Sequence, residues 1–238
     1  MALSSSLFRL AFSLVLLTAA PLATLAQECR AWRLRSTNGP QPRGTHAMAY
    51  DSLRQVTILF GGQISGGIYK GDTWQWDGVC WTLLTESGPS PRSAPAMAFD
   101  TLRSVIVLFG GRVPPLSGET WEWNGDTWHQ SSATGPSPRY SHSMVYDASR
   151  GTIVLFGGWD GTLNDETWEW DGIQWTACEA RCITHPSARE DFGFAYDTDR
   201  HVCVMFGGYV GAPNGETWEL DANGWAQRLS GDSPSARY

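Results

Sequence analysis

A single lysine, Lys70, stands among the 238 residues, and no stretch of the chain gathers basic side chains. Seventeen basic residues face 24 acidic ones, a formal net charge of −7. An acidic chain without a basic cluster is a poor match for a phosphate backbone or an anionic bilayer, so no nucleic-acid partner is expected. Long apolar runs are scarce too. The first 26 residues hold one, from Leu10 to Ala20, behind Arg9 and with no acidic residue. It is short for a membrane span and ends near Thr24-Leu25-Ala26, so residues 1–26 read as a secretory signal peptide cleaved after Ala26. No other segment is apolar enough to cross a bilayer, so no transmembrane segment is expected and the mature chain is read as extracellular or periplasmic.

Cysteines number five, Cys29, Cys80, Cys178, Cys182 and Cys203, and none has the spacing of a zinc site. In an exported chain disulfides can form, and Cys178 and Cys182 lie close enough in one loop to pair. Cys203 falls in an apolar strand and reads as a small buried side chain. The odd count leaves at least one thiol free or paired elsewhere. The five histidines form no ligand cluster, and no Ser/His/Asp set can be assembled from local motifs. No catalytic residue, metal site or cofactor is therefore assigned.

Glycine and tryptophan are abundant, at 26 and 13 residues. Long helices tolerate that much glycine badly, whereas short strands joined by tight turns need it. The expected class is all-β. One pattern then recurs four times. It opens at Arg43, Arg92, Arg139 and Arg189, with spacings of 49, 47 and 50 residues (92−43, 139−92, 189−139). A segment with apolar residues at period two follows and ends in aspartate, as in Met48-Ala49-Tyr50-Asp51. Next comes an apolar, β-branched run closed by a glycine pair: Gly61-Gly62, Gly110-Gly111, Gly157-Gly158 and Gly207-Gly208. An acid, a threonine and a tryptophan follow, the tryptophans being Trp74, Trp121, Trp168 and Trp218. A last tryptophan closes each unit at Trp81, Trp128, Trp175 and Trp225.

Each unit thus predicts four short strands, a to d. Aspartates such as Asp51 cap the a–b turn through their side chains. Asp77-Gly78, Asn124-Gly125 and Asp171-Gly172 supply the c–d hairpins. A period near 48 residues with four strands per unit is the pattern of a β-propeller blade. The glycine pair would allow positive φ or close backbone approach beside a neighbouring blade, and the tryptophans would fill the space between blades.

The Gly-Gly pairs, the tryptophans behind them and the arginine that opens each unit resemble the kelch repeat. The match is nearest to the kind found in secreted bacterial proteins, with Tyr-Asp before strand b and Leu-Phe-Gly-Gly after it. It extends from Trp32 to Tyr238. The resemblance implies a kelch-type propeller with repeats at 43–91, 92–138, 139–188 and 189–236. A lone outer strand over 27–42 would precede them, and 237–238 would begin a truncated unit. Kelch-type rings usually close with more than four blades, so the sequence reads as a fragment of a longer protein. A natural four-bladed ring is the alternative.

Three functions follow as expectations. The first is binding of a protein or carbohydrate ligand through the face where b–c and d–a loops emerge, because the copies differ there. Exposed aromatics beside polar groups suit such recognition, and the candidates are Tyr69, Arg112, Trp159, Asp160, Arg181 and Tyr209. The second is a copper carbohydrate oxidase similar to galactose oxidase, its site completed by further blades; no motif here places ligands around one metal. A structural spacer in a larger surface protein is a third.

Overall fold

In each repeat the β-branched run before the glycine pair is apolar on both faces. The computed structural model places it second in a four-stranded antiparallel sheet, buried between neighbours. The structure describes Leu34, residues 38–229 and residues 234–238. The expected leader, and the expected lone strand over 27–42 except Leu34 and residues 38–42, lie outside the described residues. Arg35–Tyr238 form one compact unit.

Blade 1 consists of β1 (Ala47–Asp51), β2 (Val56–Phe60), β5 (Thr73–Trp76) and β6 (Trp81–Thr85). Its b–c loop holds a small hairpin of β3 (Gln63–Ile64) and β4 (Ile68–Tyr69), which the repeat pattern did not predict. Blade 2 is β7 (Ala96–Asp100), β8 (Val105–Phe109), β9 (Thr120–Trp123) and β10 (Trp128–Gln130). Blade 3 is β11 (Ser143–Asp147), β12 (Thr152–Phe156), β13 (Thr167–Trp170) and β14 (Trp175–Ala177). Blade 4 is β15 (Gly193–Asp197), β16 (Val202–Phe206), β17 (Thr217–Asp221) and β18 (Gly224–Arg228). Each strand pairs with the next in its blade. The register repeats too: Asp51 opposes Val56 as Asp100 opposes Val105 and Asp197 opposes Val202.

The first strands β1, β7, β11 and β15 lie side by side in that order. The fold is an all-β propeller. Its apolar core is divided among the junctions between blades. One cluster joins Ile58 and Phe60 to Met97 and Trp128; a second joins Phe109 to Ile153 and Trp175; a third joins Phe156 to Cys203 and Trp225. At every junction a phenylalanine ending strand b meets the closing tryptophan of the next blade edge-on. The pairs are Phe60–Trp128, Phe109–Trp175 and Phe156–Trp225, at 5.3–5.5 Å between centroids. Roughly 200 Å² buried per indole at about 25 cal/mol per Å² contributes at most about 5 kcal/mol each.

The second glycine of each pair performs the close approach expected of it. Gly62 has φ +95° and its N–H donates to the Arg92 carbonyl of the next repeat at 2.9 Å. A Cβ on Gly61 would stand 2.8 Å from that same oxygen. Gly111, Gly158 and Gly208 repeat the bond to Arg139, Arg189 and Arg237. The a–b turns form as their aspartates predict: Asp51 Oδ1 accepts the Leu53 and Arg54 amides at 3.0 and 2.9 Å.

Candidate functional site

Most charge in this protein is committed to the architecture. Arg92, Arg139 and Arg189 are fully buried. Arg139 Nε donates to the Ser137 carbonyl and Nη1 to the Gly157 carbonyl. Its Nη2 reaches Ser137 Oγ at 2.7 Å and Glu166 Oε2 at 2.6 Å. Arg92 and Arg189 make the same set with Glu119 and Glu216. The same carboxylates accept the indole N–H of Trp121, Trp168 and Trp218. Burial pushes Glu166 upward, but the Trp168 and Arg139 hydrogen bonds outweigh it and hold the carboxyl below its ordinary value. The guanidinium groups of these arginines are buried and hold the backbone in place.

The loop face is different. There Arg112 is exposed, and its guanidinium carbon lies 5.7 Å from the centre of the Tyr140 ring. That is cation–π distance. Among the described residues no carboxylate pairs with Arg112. Tyr140 is bridged by backbone hydrogen bonds to Trp159, its N–H donating to the Trp159 carbonyl at 3.1 Å and its carbonyl accepting at 2.9 Å. Asp160 follows directly. Its carboxylate accepts Ser137 Oγ at 2.7 Å and Asn164 Nδ2 at 3.2 Å. Burial would raise the Asp160 carboxyl, yet the Ser137 hydroxyl, the Thr162 amide and the Arg139 charge together hold it low. Arg112, Tyr140, Trp159 and Asp160 thus form one strip across the junction of blades 2 and 3.

Three of the six sequence candidates meet in this strip. Tyr209 lies apart from it on blade 4, its ring edge-on to Tyr238 at 5.7 Å. Tyr69 sits in β4 opposite Gln63, on blade 1. Arg181 is engaged elsewhere, by the Glu169 carboxylate and the Asp221 carbonyl. Tyr140 was missed, because it occupies the position after the opening arginine and was read as part of the repeat. The signal was its departure from Gly44, Ser93 and Glu190 in the other three full repeats.

Beside the strip, the starts of the first strands surround a depression of about 200 Å³. Its floor is a backbone ladder: Ala94 donates to Thr45, Ser141 to Ala94 and Asp191 to Ser141, at 2.7–3.1 Å. All four residues have φ between 49° and 55°. His46, His142 and Asp191 line the depression. Neither ring nitrogen of His142 has a hydrogen bond of normal geometry, and its ring packs edge-on to Phe109. Burial, then the Arg139 charge, pushes His142 down to about 3, with the Phe109 backbone opposing. Phe192 occupies the equivalent place in blade 4 and packs on Phe156 the same way.

A second cleft, of about 290 Å³, lies along the outer strands of blade 3 between Trp168, Glu179 and His185. The Cys178–Cys182 disulfide forms part of its wall. Cys80 and Cys203 are free thiols, Cys80 exposed and Cys203 buried. Among the described residues no three His, Cys, Asp or Glu side chains are placed to hold a metal, and no helix is long and apolar enough to cross a membrane.

A scan of the sequence against family models finds no match, and a search of curated proteins finds none either. Solved structures do resemble the fold. One, described as the structure of YjhT, aligns with a TM-score of 0.63 over 83% of this chain and 68% of its own, at 15% identity. That likeness supports the β-propeller architecture, and at so low an identity it carries nothing about ligands.

Proposed function

We propose that this chain is a secreted kelch-repeat propeller that binds a protein or a glycan through its b–c and d–a loop face. The observation that carries this reading is the strip at the blade 2–3 junction. The arginines and acids that recur in every blade are spent on holding glycine carbonyls, indoles and neighbouring turns. Arg112, Tyr140, Trp159 and Asp160 answer to no such requirement: blade 1 carries Gln63 where Arg112 and Trp159 stand, blades 1, 2 and 4 carry Gly44, Ser93 and Glu190 where Tyr140 stands, and Ile64, Val113 and Val210 replace Asp160. An unpaired guanidinium stacked on an aromatic ring, next to a second aromatic and a carboxylate, offers both flat apolar surface and directed hydrogen bonds. That is the composition of binding hot spots. The secretory leader expected from the sequence over residues 1–26, together with the disulfide, supports an extracellular ligand.

The test is a panel of immobilised glycans and extracellular proteins screened with the whole secreted chain. Ligands found there are then measured against Arg112→Ala, Tyr140→Ala and Trp159→Ala. A loss of about 10-fold or more in affinity for each, with thermal stability unchanged, is expected. Ligands that bind all three variants as well as the parent, or no ligand on either panel, would sink the reading.

A further inference from the structure

At each junction between blades, the glycine of a c–d turn is covered by an arginine from the blade before it. On blade 2, a Cβ on Gly125 would stand 2.4 Å from Arg54 Nε, and Arg54 donates to the Asn124 carbonyl at 2.5 Å. On blade 3, a Cβ on Gly172 would stand 2.6 Å from Arg103 Nε. Both arginines come from the a–b turn. The junction of blades 3 and 4 breaks this rule. The a–b arginine of blade 3, Arg150, ends on Asp147 and Glu169. The c–d turn of blade 4 is covered instead by Arg181, whose carbonyl lies against Gly224. Arg181 Nη1 donates to the Asp221 carbonyl at 2.8 Å, and Nη2 pairs with Glu169. One residue therefore grips both blades with its backbone and its side chain.

Arg181 belongs to a connector that runs 14 residues from Trp175 to Arg189 (189−175), against 11 from Trp128 to Arg139 (139−128). The extra length is drawn into a short loop closed by the Cys178–Cys182 disulfide. Cys182 is buried in the same apolar cluster as Trp225, the closing tryptophan of blade 4, and Cys178 packs against that cluster from a partly exposed position. The disulfide thus fixes the loop on the junction, and the loop fixes Arg181.

We propose that the Cys178–Cys182 disulfide is a redox-sensitive clamp on the junction of blades 3 and 4, acting through Arg181. The reductant is a dithiol. Its thiolate attacks Cys178 Sγ, the accessible sulfur; the S–S bond breaks, and Cys182 leaves as a thiolate that takes up a proton. The second thiol of the reductant then displaces Cys178, which also ends as a thiol, and the reductant departs as its own disulfide. Two electrons pass to the protein. The free thiol in the same cluster, Cys203, does not enter the exchange: burial and the nearby Asp147 push it up to about 12, so it stays protonated. Once open, the loop releases Arg181. Glu169 keeps Arg150, while the turn at Asp221–Gly224 loses its partner from blade 3. This clamp is independent of any ligand on the loop face.

The experiment measures thermal unfolding of the whole chain with and without dithiothreitol, for the parent and for Arg181→Ala. Reduction should add two hydrogens to the mass of the parent and lower its midpoint by roughly 5 °C. In Arg181→Ala the shift on reduction should be half that or less. A second readout is amide exchange at residues 222–224, which should quicken at least about 10-fold on reduction of the parent. An equal shift in both proteins would mean that the bond acts on the unfolded chain alone and would overturn the clamp. So would unchanged exchange at the turn, or a parent whose mass does not respond to reduction.

Discussion

Trp175 Nε1 donates a hydrogen bond to Thr120 Oγ1 at 2.9 Å across the boundary between blades 3 and 2. Trp128 makes the same bond to Thr73, and Trp225 to Thr167, each at 2.9 Å. All three are buried. The indole is the largest apolar group at each junction, and its one polar atom would be stranded there without the threonine. The threonine that follows the strand-c acid in blades 1, 2 and 3 is thus explained by a tryptophan 55 or 58 residues later.

Replacing Thr120 with valine keeps the shape and removes the acceptor. The Trp175 N–H is then left buried and unpaired, at a cost of about 1–3 kcal/mol. Urea unfolding of Thr120→Val should show that loss in the midpoint with the slope unchanged. A change within about 0.3 kcal/mol of the parent would mean that water reaches the indole and that the junction is looser than it looks.

The buried arginines make a sharper case. Arg139 uses Nε, Nη1 and Nη2 on two carbonyls, a hydroxyl and a carboxylate. A lysine ammonium keeps the charge but cannot reach all four partners from one point. Arg139→Lys should therefore cost nearly as much as Arg139→Ala, about 3 kcal/mol or more, because buried acceptors are left unpaired in both. The comparison is made by denaturant unfolding of the two variants. A lysine variant close to the parent would show that charge, and not the forked geometry, holds the junction.

These features were unevenly legible in the sequence. The glycine pairs, the tryptophans and the aspartate turns announced themselves because each must occur in every blade, so repetition made them visible. The strand boundaries followed from them. Partners across a junction were not legible, since Thr120 and Trp175 sit in different repeats and nothing local links them. Repetition also concealed Tyr140, a residue in a repeat position whose side chain has left the repeat's business. Arg181 shows the opposite limit. Its loop was correctly seen as variable, but the disulfide turns the residue back onto the fold, and only the three-dimensional path of residues 178–182 reveals that.

His142 supplies the last prediction, because Phe192 shows what its place in the blade asks for. Both rings pack edge-on against the phenylalanine of the preceding blade, but only His142 has nitrogens to leave unpaired. Its pKa falls from 6.5 to about 3 on folding. The unfolded chain therefore binds a proton below about pH 6.5 that the folded chain refuses, and stability declines as the pH falls, by up to about 1.4 kcal/mol per unit. His46, half-buried and also lowered by burial and then by Arg43, adds to the same slope. The carboxylates held low by arginine, such as Glu119 and Glu166, contribute their own loss only nearer pH 4 and below. Between pH 6.5 and 4.5 the histidines dominate. His142→Phe should raise stability at pH 7 by about 1–3 kcal/mol, since the unpaired nitrogens are gone. It should also remove most of the decline between pH 6.5 and 4.5. Unfolding free energies measured across that range in parent and variant decide the matter: parallel curves would show that His142 keeps its proton exchange with solvent and is not sealed in the junction.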